Sequence, residues 1–332
     1  MGMIPEPRAD YVIGVDGGQT KTLTALATTD GHIRALARTG PCNHVHEAGG
    51  KARQYRALRD GYEQVLQLAE LEGVRAQAVT IGVSGSGDRP TVESVYDGAP
   101  VLLSGDLQTA LAGAIPSNVG IIVIGGTGSA AYGRKACGMD SRAGGQGYYC
   151  GDEGGGSDIA RQAFRAIYQA DDGRGPSTAL TELILAHYET PTLALLRNRI
   201  YGDLTRDELA QAAALVGQAA AAGDAVARGL LEYAGRELGR LVIAVANRLE
   251  WGDAPLPVGT IGSVFRSGEL VTAPLNAHVA AAYPQARLQA PQFEPVVGAV
   301  LLALQAAGYD ADDALLARLG RSYAVALSRL TD

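Results

Sequence analysis

Residues 11–40 read YVIGVDGGQTKTLTALATTDGHIRALARTG, and this stretch decides the fold. Two Asp-Gly pairs divide it, and Asp-Gly between β-rich runs is a strong hairpin signal. The β-rich runs fall at 11–15, 22–28 and 32–38. Because short turns join them, we predict three consecutive antiparallel strands.

The chain then changes to an alternating pattern. Apolar residues recur at steps of three or four over 51–72, which predicts an amphipathic helix. Two short, continuous apolar runs at 78–85 and 99–106 are typical of strands buried in a parallel sheet, and 107–115 has a helical pattern. The first domain, 1–117, is therefore predicted as three antiparallel strands followed by αβ units.

The same pattern begins again at GIIVIGGTGSAAYGRK, residues 120–135. Strand, glycine turn and strand here echo residues 12–24, which indicates an internal repeat. Further strands are expected at 257–265 and 286–293, and helices after an N-cap at Ser157, across 177–250, and at 268–282 and 295–307. We predict a second α/β domain over 118–332, with a helical insert at 177–250.

Composition excludes several classes of protein. The 332 residues are 47% hydrophobic and 19% charged, which is too apolar for a disordered chain. Asp and Glu exceed Lys and Arg by 35 to 28, and the net charge of −7 argues against nucleic acid and anionic membranes as partners. The three cysteines, an odd number without CxxC spacing, favour a reducing compartment. We therefore expect a cytoplasmic protein.

The first glycine turn lies within VIGVDGGQTKT. Gly17 and Gly18 expose backbone amides to an anion, while Thr20 and Lys21 add a hydroxyl and a positive charge. Asp16 is a candidate for holding Mg²⁺ through water. The alternative is an ordinary tight hairpin, since glycine turns are common.

The second glycine turn, Gly126-Thr127-Gly128-Ser129, offers the same supply of amides and hydroxyls. It too would be an ordinary hairpin if taken alone. Two such turns at equivalent places in a repeat are best explained if both bind one polyphosphate, so we predict a nucleotide site.

Asp106 closes an apolar strand just before a helix. The carboxyl ends of strands in an α/β sheet face the ligand crevice, and phosphoryl transfer needs an acceptor for the proton of the attacking hydroxyl. We predict Asp106 as that base, with helix capping as its alternative role. Asp16 is the weaker candidate because it adjoins the phosphate turn.

Taken together, these motifs resemble the BadF/BadG/BcrA/BcrD ATPase family, and within it N-acetylglucosamine kinase and related hexosamine kinases. The motifs are DGGQTKT, SGD at 104–106, GGTGS, GGQGYYCGDEGG at 144–155 and IGSVFRSG at 261–268. The resemblance implies an actin-like ATPase fold, in which two ribonuclease-H-like α/β domains hold ATP and Mg²⁺ in a cleft between them. It also implies that Gly298 belongs to an interdomain helix near 295–307.

The resemblance further implies residue roles. The expected nucleotide contacts are Asp16, Gly17, Gly18, Gln19, Thr20, Lys21, Gly126, Thr127, Gly128 and Ser129 at the phosphates, and Gly262, Ser263 and Ser267 near the adenosine. The expected sugar contacts are Asn43, Asp106, Gly145, Gln146, Gly147 and Asp152. Gln146 stands where the resembling kinases have a tryptophan, so the expected acceptor is N-acetylglucosamine, free glucosamine, a larger amino sugar or a different hydroxylated compound.

The implied activity is ATP-dependent phosphorylation of an amino sugar at the 6-hydroxyl. One alternative is an ATPase activator of the benzoyl-CoA-reductase type, which needs cysteine thiolates gathered for an iron–sulfur cluster. Another is a sugar sensor without catalysis. We also expect a homodimer, although the apolar stripe of 177–250 would equally serve packing within its own domain.

Overall fold

The structure is a computed structural model that describes residues 11–43, 45–73, 75–83, 87–96 and 98–331. These residues form two compact units. One combines the residues up to Asn118 with those from Pro291 onward, and the other is Val119–Ala290. The second domain was expected to run to residue 332, but the chain returns to the first unit at Pro291. It does so because the last two helices bury their apolar faces against the first sheet.

The strands and helices follow one another in the predicted order, and the structure has further elements that the sequence did not predict. The strands are β1 (Tyr11–Gly17), β2 (Thr22–Thr28), β3 (Ile33–Thr39), β4 (Ala78–Val83), β5 (Val101–Gly105), β6 (Gly120–Gly125), β7 (Ser129–Arg134), β8 (Asp140–Gly144), β9 (Leu256–Ile261) and β10 (Ala286–Gln289). The helices are α1 (Gly50–Leu68), α2 (Arg89–Val95), α3 (Asp106–Ala114), α4 (Gly156–Asp171), α5 (Leu180–His187), α6 (Leu193–Gly202), α7 (Arg206–Ala210), α8 (Ala212–Ala221), α9 (Ala225–Arg248), α10 (Glu269–Ala282), α11 (Pro295–Ala306) and α12 (Asp313–Thr331). A 3₁₀ helix covers Ser263–Ser267.

The sheet of the first unit has the strand order β3-β2-β1-β4-β5. The pairs β1–β2 and β2–β3 are antiparallel, whereas β4 and β5 run parallel to β1. Alternate residues of β1 face opposite cores, with Val12 toward α11 and α12 and Ile13 toward α1. The predicted antiparallel strands and αβ units are confirmed.

The sheet of the second unit repeats this topology. Its order is β10-β9-β6-β7-β8, in which β6, β7 and β8 are antiparallel neighbours and β9 and β10 run parallel to β6. The expectation of two ribonuclease-H-like α/β units is therefore confirmed. Strand β8 was not predicted, because its sequence DSRAG has no apolar run.

The helical insert places its apolar stripe inside its own unit. Leu196, Val216, Leu231 and Leu238 are fully or almost fully buried in the same core as Val123 of β6. The stripe is therefore accounted for by packing within the chain, and the expected homodimer stays a prediction. In the part of the chain that is described, no helix combines the length and apolar character needed to span a membrane.

Candidate active site

The first glycine turn joins β1 to β2. The Gly18 amide donates a 3.0 Å hydrogen bond to the Lys21 carbonyl, and Gln19 and Thr20 are exposed at the tip. Gly17 is buried, and a Cβ there would overlap Cys42 Sγ. Glycine is thus required at position 17 by close packing, while the tip of the turn is free to meet a ligand.

Asp16 and Asp106 lie at the same edge of the first sheet. The register pairs Asp16 with Gly82 and Gly82 with Ser104, so Asp106 lies two residues beyond the level of Asp16, just past the end of β5. Burial, together with the negative charge of Asp106, raises the pKa of Asp16 from 3.8 to about 6. Lys21 acts in the opposite direction but does not cancel the shift. Ionising Asp16 therefore costs more free energy in the folded protein than in the unfolded chain.

Replacing Asp16 with asparagine is expected to stabilise the protein in a pH-dependent way. Below about pH 3.8 the carboxyl is protonated both folded and unfolded, so it costs nothing; the cost grows as the pH rises and is complete above about 6. Two pKa units correspond to about 3 kcal/mol. Urea unfolding should show a gain of up to about 3 kcal/mol for Asp16→Asn at about pH 7.5 and a clearly smaller gain at about pH 4.5.

The control for this measurement is Asp60→Asn, which removes an exposed carboxylate from α1. That variant should unfold like the parent at both pH values. A gain for Asp16→Asn that is equal at both pH values, or a loss at the higher one, would contradict the buried-charge explanation.

Asp106 is the first residue of α3. Its Oδ1 accepts the Leu107 amide at 2.9 Å, while Gln108 Oε1 accepts the Gly105 amide at 3.2 Å. Asp106 thus makes a capping contact with α3, the alternative role considered for it, while Gln108 binds the amide of the residue that precedes the helix. Asp106 thereby stands at the carboxyl end of β5, the side of an α/β sheet that faces ligands.

Asn43 follows β3 and is 3% exposed. Its side-chain Nδ2 has no hydrogen-bond partner among the described residues. Its backbone carbonyl accepts Arg53 Nη2 at 3.1 Å, which fixes the loop. Because buried polar groups are normally paired, an unpaired amide here is suited to a ligand oxygen such as a sugar hydroxyl.

A cavity of about 540 Å³ in the second unit brings predicted nucleotide residues together. Gly126 and Thr127 from the second turn and Ser263 and Ser267 from the 3₁₀ helix all line it. Helices of the insert complete the wall with Asp207, Ala210, Gln211, Ala213, Ala214, Gly217, Gln218 and Ala221. Sequence reasoning missed these residues, although the run of alanine and glycine on α8 is a signal of a wall with small side chains.

The second glycine turn presents unobstructed amides. Its Gly126 and Thr127 carbonyls accept the amides of Gly156 and Ser157 at the start of α4, at 2.8 and 2.9 Å. Within the described residues, the Gly126 amide donates to the Gly128 carbonyl at 3.0 Å, and no backbone acceptor binds the amides of Thr127 and Gly128. A Cβ at Gly126 would meet nothing within 4 Å. The turn is thus fixed from behind and open in front, as an anion site requires.

Helix α4 begins earlier than the sequence indicated. Ser157 was expected as its N-cap, but Gly155 occupies that position and Ser157 lies within the first turn. The difference arises because the carbonyls of the glycine turn take up the Gly156 and Ser157 amides, and Asp158 Oδ2 accepts the Gly154 amide at 3.0 Å. The Ser157 hydroxyl instead accepts a 3.3 Å hydrogen bond from Arg206 Nε.

Gly262 lies where the chain leading into the 3₁₀ helix packs against the second glycine turn. Its φ of 114° is rare for residues with a side chain, and a Cβ would overlap the Gly125 carbonyl and lie 3.1 Å from the Gly126 amide nitrogen. Gly262→Ala should therefore lower the free energy of unfolding by about 2–4 kcal/mol in urea titrations. Gly126→Ala is the matched control and should change it by less than about 0.5 kcal/mol. Equal effects of the two substitutions would contradict this role for Gly262.

Ser129, the first residue of β7, binds the loop that carries the predicted sugar contacts at residues 145–152. Its carbonyl accepts the Gly145 amide at 2.8 Å, its amide donates to Asp152 Oδ1 at 3.2 Å, and its hydroxyl donates to the Glu153 carbonyl at 2.7 Å. Ser129 was expected to use its hydroxyl on a phosphate, but here that hydroxyl joins β7 to the loop. Gly145 and Asp152 are thereby held beside the second turn.

Asp152 is 3% exposed and has a left-handed φ of 63°. One carboxylate oxygen accepts the Ser129 amide and the other is ion-paired with Arg206. A Cβ at Gly128 would lie 2.6 Å from the carboxyl carbon, which explains the glycine there. Its role as a sugar contact stays a prediction. Arg206 was missed because it lies 54 residues away in sequence.

The loop with the predicted sugar contacts has an open edge at Gly145, Gln146 and Gly147. Both glycines have positive φ, 69° and 80°, and a Cβ at Gly147 would meet nothing within 4 Å. The exposed Gln146 donates through Nε2 to the nearby Gly144 carbonyl at 3.3 Å. No bulky side chain from 145–147 therefore closes this side of the loop.

Comparisons with known proteins agree with this arrangement. The model of the BadF/BadG/BcrA/BcrD ATPase family matches residues 13–303. An N-acetylmuramic acid/N-acetylglucosamine kinase from Clostridium acetobutylicum is 31% identical over 310 residues, which span 88% of this chain and 98% of the relative. An N-acetyl-D-glucosamine kinase from Dictyostelium discoideum is 28% identical, with 89% of this chain and 98% of the relative covered.

A solved structure is also similar. It is a candidate N-acetylglucosamine kinase from Chromobacterium violaceum, with a TM-score of 0.68 and 32% identity over 90% of this chain and all of that one. A glucokinase of the ROK family from Streptomyces griseus, at 19% identity and a TM-score of 0.53, shares the fold.

Proposed function

The chain belongs to the BadF/BadG/BcrA/BcrD ATPase family, and from this premise we propose that it is an ATP-dependent kinase of amino sugars. The proposed acceptor is the 6-hydroxyl of N-acetylglucosamine or glucosamine, and N-acetylmuramic acid is a further candidate because a relative carries that name. The observation that carries the proposal is the convergence of the second glycine turn and the segment Ser263–Ser267 on one cavity.

The cavity suits a nucleoside. Its volume of about 540 Å³ falls in the range of roughly 300–1,000 Å³ that is usual for small-molecule sites. We propose that Ser263 and Ser267 lie near the adenosine, and that the turn Gly126–Ser129 binds the phosphates through the amides of Thr127 and Gly128. The turn Gly17–Lys21, with its exposed Thr20 and Lys21, is also proposed to bind nucleotide phosphates.

Asp106 is proposed as the base that accepts the proton of the sugar hydroxyl as the phosphoryl group transfers. Asp16 is suited to hold Mg²⁺ through water, since its carboxylate lies at the same sheet edge and is ionised above about pH 6. No cluster of three or more metal-ligating side chains occurs within the described residues, so the nucleotide phosphates and water would supply the other ligands. Mg²⁺ would neutralise phosphate charge.

The sugar is proposed to contact Asn43, Gly145–Gly147 and Asp152. The unpaired, buried Nδ2 of Asn43 supports this, because a hydroxyl oxygen would complete its hydrogen bonding. A site built to pair hydroxyls rejects analogues that lack them, which is how a small pocket distinguishes sugars.

The test is a coupled assay of ADP release with ATP, Mg²⁺ and a panel of N-acetylglucosamine, glucosamine, N-acetylmuramic acid and glucose. We expect release to depend on an amino sugar and the product to carry phosphate at the 6-position, as read by ³¹P NMR. ADP release that no sugar stimulates would overturn the proposal.

The proposal also includes the cellular compartment and the oligomeric state of the protein. The free thiols, buried Cys42 and exposed Cys137 and Cys150, support a reducing, cytoplasmic compartment. A homodimer is proposed, to be tested by light scattering after size-exclusion chromatography. The relatives that match nearly the whole chain have amino-sugar kinase names, which favours a kinase over the alternative of a reductase-type activator.

A further inference from the structure

We propose that Arg206 determines sugar specificity by binding the carboxylate of an acidic amino sugar, one with a carboxylic ether substituent as in N-acetylmuramic acid. This inference rests on the proposed function and adds to it the residue that recognises the charged substituent of such a sugar. Arg206 itself takes no part in phosphoryl transfer.

The position of Arg206 is the first observation. It is the first residue of α7, and its side chain is 39% exposed. Its guanidinium is ion-paired with Asp152, and the guanidinium carbon lies 5.5 Å from the centroid of the Tyr148 ring. Tyr148 directly follows Gly145–Gly147. A sugar that contacts both Asp152 and the 145–147 segment therefore lies within reach of Arg206.

The Arg206 guanidinium has more N–H donors than its two protein partners use. Of its five N–H donors, one reaches Asp152 through Nη2, and Nε reaches the Ser157 hydroxyl. The planar fork of arginine matches a carboxylate and is the usual protein partner for one. Arg161, a second guanidinium at this loop, is already bound to Asp158 Oδ1 at 2.6 Å and to the Tyr148 carbonyl at 2.9 Å. Arg206 is therefore the better placed cation.

Space at the loop edge is a further observation. The net charge of −7 by itself opposes an anionic sugar, so binding one requires a local cation such as Arg206. The 145–147 segment leaves room, since nothing lies within 4 Å of a Cβ at Gly147 and Gln146 is exposed. A bulky, charged substituent on the sugar is thus accommodated sterically and paired electrostatically at the same edge.

The experiment compares N-acetylmuramic acid with the amide of its carboxyl group, which has nearly the same shape without the charge. Binding is measured by calorimetry with a non-hydrolysable ATP analogue present. We expect the wild-type protein to bind the acid about ten- to a hundredfold more tightly than the amide, as for other hydrogen bonds to charged groups. Arg206→Gln should abolish the preference for the acid over the amide, and the comparison is made within the variant because the substitution also removes the ion pair of Asp152.

The matched control is Arg165→Gln, which removes one exposed positive charge from α4 and should keep the preference. Arg206→Lys should retain part of it, because lysine supplies charge without the fork. Equal binding of acid and amide by the wild-type protein, a result that needs no variant to fold, would overturn the inference; so would a preference that survives in folded Arg206→Gln. A preference for the acid in a protein that phosphorylates no sugar would support Arg206 and refute the kinase proposal.

Discussion

Replacing Asp106 with asparagine is expected to lower kcat for sugar phosphorylation by about 10²- to 10⁴-fold, the usual contribution of a general base. Asparagine has the same shape but does not accept the proton of the attacking hydroxyl. KM for the sugar should change much less, because an amide still hydrogen-bonds a hydroxyl. Steady-state kinetics with the best sugar of the panel measures both quantities.

The variant should fold like the parent. Asparagine can accept the Leu107 amide in place of the carboxylate, and Gln108 continues to bind the Gly105 amide. Removing the charge of Asp106 also removes one cause of the high pKa of Asp16. The pH dependence of unfolding assigned to Asp16 should therefore move to lower pH, which reports on the site independently of activity.

Asp60→Asn is the control, since it removes an exposed carboxylate of α1 and should leave kcat unchanged. Unaltered kcat in Asp106→Asn would contradict the assignment of the base and favour another acceptor. The absence of sugar-dependent activity in the parent protein would instead favour a sugar sensor.

Gly298→Ala is expected to destabilise the protein by more than about 3 kcal/mol. Gly298 lies at the crossing of α11 with α3, where a Cβ would overlap the Thr109 carbonyl oxygen and lie 2.5 Å from the Gly113 amide nitrogen. Gly113 is equally constrained from the other side, since its own Cβ would lie 2.7 Å from the Glu294 carbonyl oxygen. Backbone atoms cannot rotate away as a side chain can, so the helices must move apart.

The same substitution should impair catalysis, because α3 begins at Asp106. Urea unfolding measures the stability change, and the matched control is Gly229→Ala in α9. Nothing lies within 4 Å of a Cβ at Gly229, so alanine should stabilise that helix by about 0.5–1 kcal/mol. A loss below about 1 kcal/mol for Gly298→Ala would show that the two helices separate easily and would contradict the proposed close contact.

Local sequence signals predicted much of the fold. Asp30-Gly31 lies in the turn between β2 and β3, whereas Asp16-Gly17 ends β1 and residues 18–21 form the first turn. The apolar runs at 78–85 and 99–106 identify β4 and β5; β4 is buried throughout, but β5 is a partly exposed strand at the edge of the sheet. The echo between residues 12–24 and 120–135 predicted two units, and the two sheets indeed have the same strand order. These features depend on contacts between near neighbours, so periodicity and turn chemistry are enough to reveal them.

Part of the candidate site followed from the same reasoning. Asp16 lies near the end of β1 and Asp106 directly follows β5, and the carboxyl ends of these parallel strands lie at one edge of the sheet. Thr127 and Ser263 were assigned to one nucleotide from motif resemblance, and they line one cavity. The motifs gave residue types and order but no distances, so they did not reveal that the Ser129 hydroxyl and the Asp152 carboxylate bind protein groups.

The amino-acid sequence by itself determined the strands, the hairpins, the repeated halves and the glycine turns, because each depends on residues close along the chain. Only the tertiary structure decided that the chain from Pro291 returns to the first unit, that α7 and α8 wall the cavity, and that Arg206 pairs with Asp152. Those contacts join residues tens to hundreds of positions apart. Burial of apolar faces and pairing of charges select them, and the order of residues does not show which partners will meet.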